Sequence, residues 1–330
     1  MNGVFGRLLS KLEITPVLVD VGASDSPPGI WDRIARYSTY VGFDPDLREI
    51  REVRDGRYRK SIIVNQAIVS DDRIEVPFYL TRSPFCSSTL KPDHHSLSNY
   101  LFSELFAVDA ETTVRAASLD SVIDRLSLSG VDWLKIDSQG TDLRIFNSLR
   151  KAVRSRVLAL DVEPGLIDAY VGEDLFVDAH RDLIQQGFWL SNLSVEGTPR
   201  VKTTTVSRLA ALHKKSVSFG LLGKAVRNSP CWCEARYLRT AEWLVQTDSD
   251  PRDYVLLWVF AMLDGQPGFA LDLAFEYESH YGQDGAFELM KEECLARVRR
   301  RRVGAASRSL GARVKSKAKR LWSSIVTAET

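Results

Sequence analysis

Hydrophobic positions recur along the first half of the chain in two alternating periods. VLVDV (17–21) is a short apolar run bounded by turn residues and reads as a buried strand, whereas Ile30, Ile34 and Tyr37 of IWDRIARYS (30–38) fall at helical spacing. YVGFDPD (40–46) predicts a second strand ending in acids, LREIREVRDG a helix, and SIIVNQAIV (61–69) a third strand. Strand, helix, strand, helix, strand is the order produced by right-handed crossovers on a parallel sheet. The pattern then predicts an extra strand at IEVPFYLT (74–81) and a long polar loop through SPFCSSTLKPDHHSLSN (83–99). A helix follows at SLDSVIDRLSL (118–128), with Ser118 placed to cap it and Leu119, Val122, Ile123 and Leu126 on one face. VDWLKID (131–137) and RVLALDVE (156–163) read as strands ending in acids, separated by the helix TDLRIFNSLRKAV. DLFVDAHRDLIQQG predicts a helix closed by Gly187, and FWLSNLSVEG a strand free to pair with one near EARYLRT (234–240).

Beyond Thr240 the strand signals stop. EWLVQ, DYVLLWVFAMLDG, FALDLAFEYES and AFELMKEECLARV carry apolar residues at helical spacing, so the expected organisation is an α/β domain over 1–240, a helical extension over 241–296 and a basic tail over 297–330.

Charge sharpens that division. Eleven of the 44 Lys and Arg residues fall between Arg297 and Arg320 with no acid among them, leaving 33 basic against 43 acidic residues elsewhere. An acidic body argues against nucleic acid as a partner, and a basic tail suits an anionic surface. Leu310, Val314, Ala318, Leu321 and Ile325 form one apolar helical stripe in that tail, the pattern of an interfacial helix on anionic lipid. No apolar run reaches the length of about 18 residues that crosses a bilayer, and the N-terminus lacks a secretory pattern. The expectation is a cytoplasmic protein, in peripheral contact with the inner membrane face. Cys86, Cys231, Cys233 and Cys294 are too few and too scattered for a disulfide framework and lack the spacing of a zinc site, so no metal is expected.

The chemistry concentrates at predicted strand ends. Ligands of an open parallel sheet sit at the carboxyl ends of its strands, where Asp20, Asp44, Asp137 and Glu163 would gather. Asp44 follows Gly22 by 22 residues, near the spacing at which a second-strand acid accepts hydrogen bonds from a ribose. A dinucleotide loop needs glycines at three set positions, but this loop has Gly22, Ser24 and Pro27 there, which disfavours a pyrophosphate and with it a nicotinamide oxidoreductase. S-adenosylmethionine carries no phosphate and asks chiefly for one glycine.

These stretches resemble the FkbM-type methyltransferases. DVGASDS is similar to their opening loop, VGFDPD to their second-strand signature, and DWLKIDSQGTDLRIFNSL to their most distinctive segment, with further echoes in SSTL (87–90), SLDSVI (118–123) and ALDVEPGLIDAYVGEDLF (159–176), over about residues 15–240. The resemblance implies a class I, Rossmann-like α/β fold: a mostly parallel seven-stranded sheet with one antiparallel strand, flanked by helices. It implies S-adenosylmethionine as cofactor and O-methylation of a saccharide, glycan or related hydroxyl-bearing substrate. Asp20, Gly22, Ala23 and Ser24 would face its methionine part, Asp44 its ribose, and Asp137 the reacting methyl. Asp137 and Glu163 are the candidate catalytic acids by position, and His94 or His95 by chemistry, since a hydroxyl acceptor must lose a proton. Gly140 is expected to take a positive-φ turn, and Trp133 and Trp189 to be core or sheet-face residues rather than sugar platforms. Ser24 stands where the family often has Asn and Ser26 where it often has glycine. These departures and the two prolines favour the alternative, a non-catalytic methyltransferase-fold binding module in glycan assembly.

Overall fold

The computed structural model describes residues 3–23, 26–46, 56–212 and 226–299. Ten strands run through it: β1 (Val17–Val21), β2 (Thr39–Phe43), β3 (Lys60–Val64), β4 (Ala67–Val69), β5 (Glu75–Thr81), β6 (Val108–Ser118), β7 (Trp133–Ile136), β8 (Ala159–Val162), β9 (Phe188–Thr198) and β10 (Ser229–Arg239). Seven form one sheet in the order β3-β2-β1-β7-β8-β10-β9. β10 alone runs against its neighbours, antiparallel to both β8 and β9. This is the mostly parallel seven-stranded architecture expected from the alternating pattern and the resemblance. The chain starts in the middle at β1, winds outward through β2 and β3, and returns to lay β7 on the other side of β1. That reversal opens a crevice between the ends of β1 and β7.

Alternation along the strands sends side chains to two apolar layers. Leu18 and Trp133 point into one, with the N-terminal helix Val4–Lys11 and the C-terminal helices. Val19, Leu134 and Ile136 point into the other, with Val122, Ile145, Phe146 and Leu183 from three covering helices. In the helix Pro251–Leu263 every residue from Tyr254 to Met262 is buried, as expected of a helix apolar all round. It lies against the sheet, Phe260 meeting Trp133 at 4.9 Å between ring centroids. Trp133 is fully buried and Trp189 packs against Phe269, both in core roles as expected.

Several local expectations need correction. The helix placed at 30–38 is two 3-10 turns, Gly29–Trp31 and Ala35–Tyr37, which still bury Trp31 and Ile34. The single strand at 61–69 breaks at Asn65 and Gln66, so that β3 stays in the main sheet and β4 enters a second one, ordered β4-β6-β5. Asn65 donates to the Asp44 carbonyl at 2.8 Å, which ties the break to the end of β2. The polar loop contains a 3-10 turn at Pro84–Cys86 and a short helix at His94–Leu97. β6 went unforeseen because VDAETTVRAAS is largely polar, and six of its first eight residues are exposed where it pairs with β5. Ser118 occupies the cap position, but its hydroxyl donates to Asp72 and accepts from no helix amide. All but the last residue of the helix expected at 47–56, the loop residue Ser24 and the amphipathic stripe of the basic tail lie outside the described residues. Among the described residues no helix is long and apolar enough to cross a membrane.

Gly187 closes the helix Phe176–Gln185 with φ +84°, as its position predicts. A Cβ there would come within 2.4 Å of the Trp243 ring. Gly187→Ala combines left-handed strain with that clash and is expected to lower stability by about 1–3 kcal/mol, read from urea unfolding midpoints.

Candidate active site

Backbone comes first at the crevice. Gly22 leaves β1 with φ +84°, and a Cβ on it would fall 2.1 Å from the Asp137 carbonyl oxygen. Only glycine lets the β1 loop pass so close to the end of β7. The amides of Gly22 and Ala23 both donate to the Phe43 carbonyl at 2.9 Å, so the same loop is tied to the end of β2.

One row of the sheet below the crevice is charged. Register pairs Asp20 with Lys135, Lys135 with Asp161, and Asp161 with Arg236 across β1, β7, β8 and β10. Lys135 Nζ donates to Asp20 Oδ1 at 3.0 Å and lies 3.8 Å from Asp137 Oδ2. Tyr40 donates to the second Asp20 oxygen at 3.1 Å. Burial works against the Lys135 ammonium, but the carboxylates of Asp20 and Asp137 outweigh it and raise its pKa. Asp20 borders neither cavity of the site: it is 2% exposed and acts through Lys135.

Asp137 and Glu163 stand two residues further along β7 and β8, and both line two cavities. The larger, of about 420 Å³, reaches from Gly22, Phe43 and Asp44 past the two acids to Phe102, Phe106 and Trp232. The smaller, of about 300 Å³, is bordered by Ser26, Pro28, Lys135, Asn192 and Glu234. Burial, then the charge of Asp137 and a hydrogen bond to it, push the Glu163 carboxyl far above the ordinary carboxylate range. Glu163 therefore holds a proton at neutral pH. Burial, with the neighbouring carboxylates, raises Asp44 to about 6 against a hydrogen bond from the Asp46 amide.

The turn after β7 is built without Asp137. Asp142 accepts from the Ser138 amide at 3.0 Å and from the Glu163 amide at 2.7 Å, joining the ends of β7 and β8. Gln139 takes φ +57° and Gly140 φ +107°, the positive-φ turn expected at the glycine extended by one residue. The Gln139 side-chain amide donates to Asp137 Oδ1 at 2.6 Å. Its oxygen accepts from the Tyr170 hydroxyl at 2.9 Å, and its backbone carbonyl accepts from Ser88 at 2.7 Å. Asp137 is thus oriented by its neighbours while remaining on the cavity wall.

The structure brings Gly22, Asp44, Asp137 and Glu163 to one cavity. Ala23 lies beside it, and His94 and His95 are exposed on their short helix, away from both cavities. Lys135, Tyr170 and the aromatic end of the cavity were not foreseen as parts of the site. A lysine inside the buried run WLKI was the available signal for the first, since a charge there demands a partner. Among the described residues no group of three His, Cys, Asp or Glu side chains is placed to hold a metal ion.

The family model described as the methyltransferase FkbM domain matches residues 20–185, half of the chain. No curated protein and no solved structure matches it.

The protonated Glu163 has a consequence for stability. An ordinary glutamate titrates near pH 4.5, so above that value the unfolded chain releases a proton that the folded one retains, and stability falls as pH rises. Glu163→Gln removes that loss. The variant is expected to match the parent near pH 4 and exceed it at pH 8 by about 1–2 kcal/mol in urea denaturation.

Proposed function

The chain belongs to the FkbM methyltransferase family, and from that premise we propose that it is an S-adenosylmethionine-dependent O-methyltransferase acting on a hydroxyl of a saccharide. One observation carries the reading: a single cavity joins a glycine-only approach at Gly22 and the acid Asp44 to the acid pair Asp137 and Glu163.

The residues fit this cofactor. Phe43 and Ile68 offer apolar walls for an adenine, Asp44 an acceptor for ribose hydroxyls, and Gly22 room for the methionine part. The loop lacks the glycines that a pyrophosphate needs. When bound, S-adenosylmethionine supplies a methyl group on positively charged sulfur, which passes to the acceptor oxygen as the S–C bond breaks and sulfur keeps the electron pair. The chain itself aligns the acceptor and removes its proton. Glu163 already holds a proton, so the acceptor's proton goes to Asp137. Gln139 holds that carboxyl in place, and Lys135 compensates charge on the row below. The basic segment 297–330 would bring such an enzyme to anionic lipid, where a lipid-linked glycan is presented.

Two measurements test this reading. Calorimetry is expected to detect S-adenosylmethionine binding in the micromolar range, strengthening from pH 5 to 7 as Asp44 ionises near 6 and gains full accepting power. Asp44→Ala is expected to weaken it about tenfold or more and to flatten that pH dependence; a folded protein that binds no cofactor would mark it as a non-catalytic module. Asp137→Asn is expected to keep cofactor affinity within about threefold while lowering kcat by about a hundred- to ten-thousandfold, followed by transfer of a labelled methyl group.

A further inference from the structure

The end of the large cavity remote from Asp44 is walled by aromatic and aliphatic side chains: Phe102, Leu105, Phe106, Ile167 and Trp232. Phe102, Leu105 and Phe106 come from the segment between β5 and β6, whereas Trp232 comes from β10, outside the residues that the family model matches. Trp232 stacks on Phe102 with ring centroids 6.0 Å apart and planes 24° from parallel. It is only half-buried and borders the cavity, as no other tryptophan among the described residues does.

Its position is firmly held. The β9–β10 ladder loses register between Pro230 and Trp232, so Cys231 is an extra residue, the kind of bulge that re-aims a side chain beside a site. The Cys231 carbonyl accepts from the amides of Leu166 and Ile167 at 2.8 and 3.2 Å, fastening the bulge to the loop after β8. Gly165 of that loop bridges to Trp232 itself. Two strands and a loop thus hold one indole on the wall of the cavity that Asp137 also lines.

We propose that Trp232, braced by Phe102, is the platform on which a pyranose ring of the acceptor lies, its C–H face on the indole and one hydroxyl at Asp137. The inference rests on the saccharide reading above and deepens it. An indole face is electron-rich and apolar, so it attracts the weakly positive C–H groups of one sugar face while leaving the equatorial hydroxyls at the ring edge. The rest of this lobe offers few hydrogen-bond partners, so an acceptor fits it by its less polar face and sends its hydroxyls toward the acids.

The test uses the full chain saturated with S-adenosylhomocysteine and, as probes, the methyl α-glycosides of glucose, galactose, mannose, rhamnose and fucose. Saturation-transfer difference NMR is expected to show at least one of them receiving magnetisation on the C–H groups of one ring face. That signal is expected to fall about fivefold or more in Trp232→Leu and to return in part in Trp232→Phe. S-adenosylhomocysteine affinity, measured on the same samples, stays unchanged and reports intact folding. Saturation of none of the five probes, or a signal that Trp232→Leu leaves untouched, overturns the platform. Failure of S-adenosylhomocysteine to bind the parent protein instead overturns the methyl-transfer reading on which it rests.

Discussion

Everything at this site is referred to one row of alternating charge across the sheet. Asp20, Lys135, Asp161 and Arg236 sit in register on four adjacent strands, negative and positive in turn. Lys135 bonds to Asp20, and Arg236 bonds to both Asp161, at 2.7 Å, and Asp264, at 2.8 Å. Neutral side chains of the same volume would pack as well, but a one-residue slip of any of these strands would leave a buried charge unpaired. The row therefore penalises every register but one. Two residues beyond it along the three parallel strands, on the same face, stand Gly22, Asp137 and Glu163. The placement of the acids follows from the pairing of the row beneath them.

Within that frame the two acids sit in different environments. Glu163 is buried against another carboxyl and keeps its proton. Asp137 receives the Gln139 amide and has Lys135 within 3.8 Å. Asp142, not Asp137, holds the turn and stitches β7 to β8. Because the capping duty falls on Asp142, the strand-end acid is left on the cavity wall. Gln139 bridges Asp137 and Tyr170, and the Tyr170 hydroxyl also lies 2.9 Å from the Cys86 carbonyl, which ties this side of the turn to the segment after β5.

Much of this frame is legible in the chain, and the reasons for the rest are specific. The strands VLVDV, WLKI and ALDV announce themselves because burial on both faces demands continuous apolar runs, broken only where the charged row crosses them. The acids at their ends follow from where parallel strands stop. The partners of those acids do not follow, because Asp20 and Lys135 lie 115 residues apart and only register brings them together. β6 is hidden by its polar face, and the split of 61–69 between two sheets is marked only by Asn65 and Gln66, two polar residues that a single strand with one exposed edge would also tolerate. The aromatic lobe is hidden for another reason: Phe102 and Trp232 are 130 positions apart, and their stacking depends on a bulge that no local pattern records.

The opening loop carries one glycine because the protein's own backbone requires one. The Asp137 carbonyl occupies the space that a Gly22 side chain would need, whatever ligand lies above. In a dinucleotide fold the additional glycines serve the pyrophosphate and the close packing of the helix that follows. Here the residues after the loop form 3-10 turns entered through Pro27 and Pro28, with Trp31 packed against Tyr40 and Trp133, so no regular helix presses against β1 at that point. A chain that neither cradles a pyrophosphate nor packs a helix there has no use for the second and third glycines. Their absence leaves the loop without a cradle for a pyrophosphate and costs the backbone nothing.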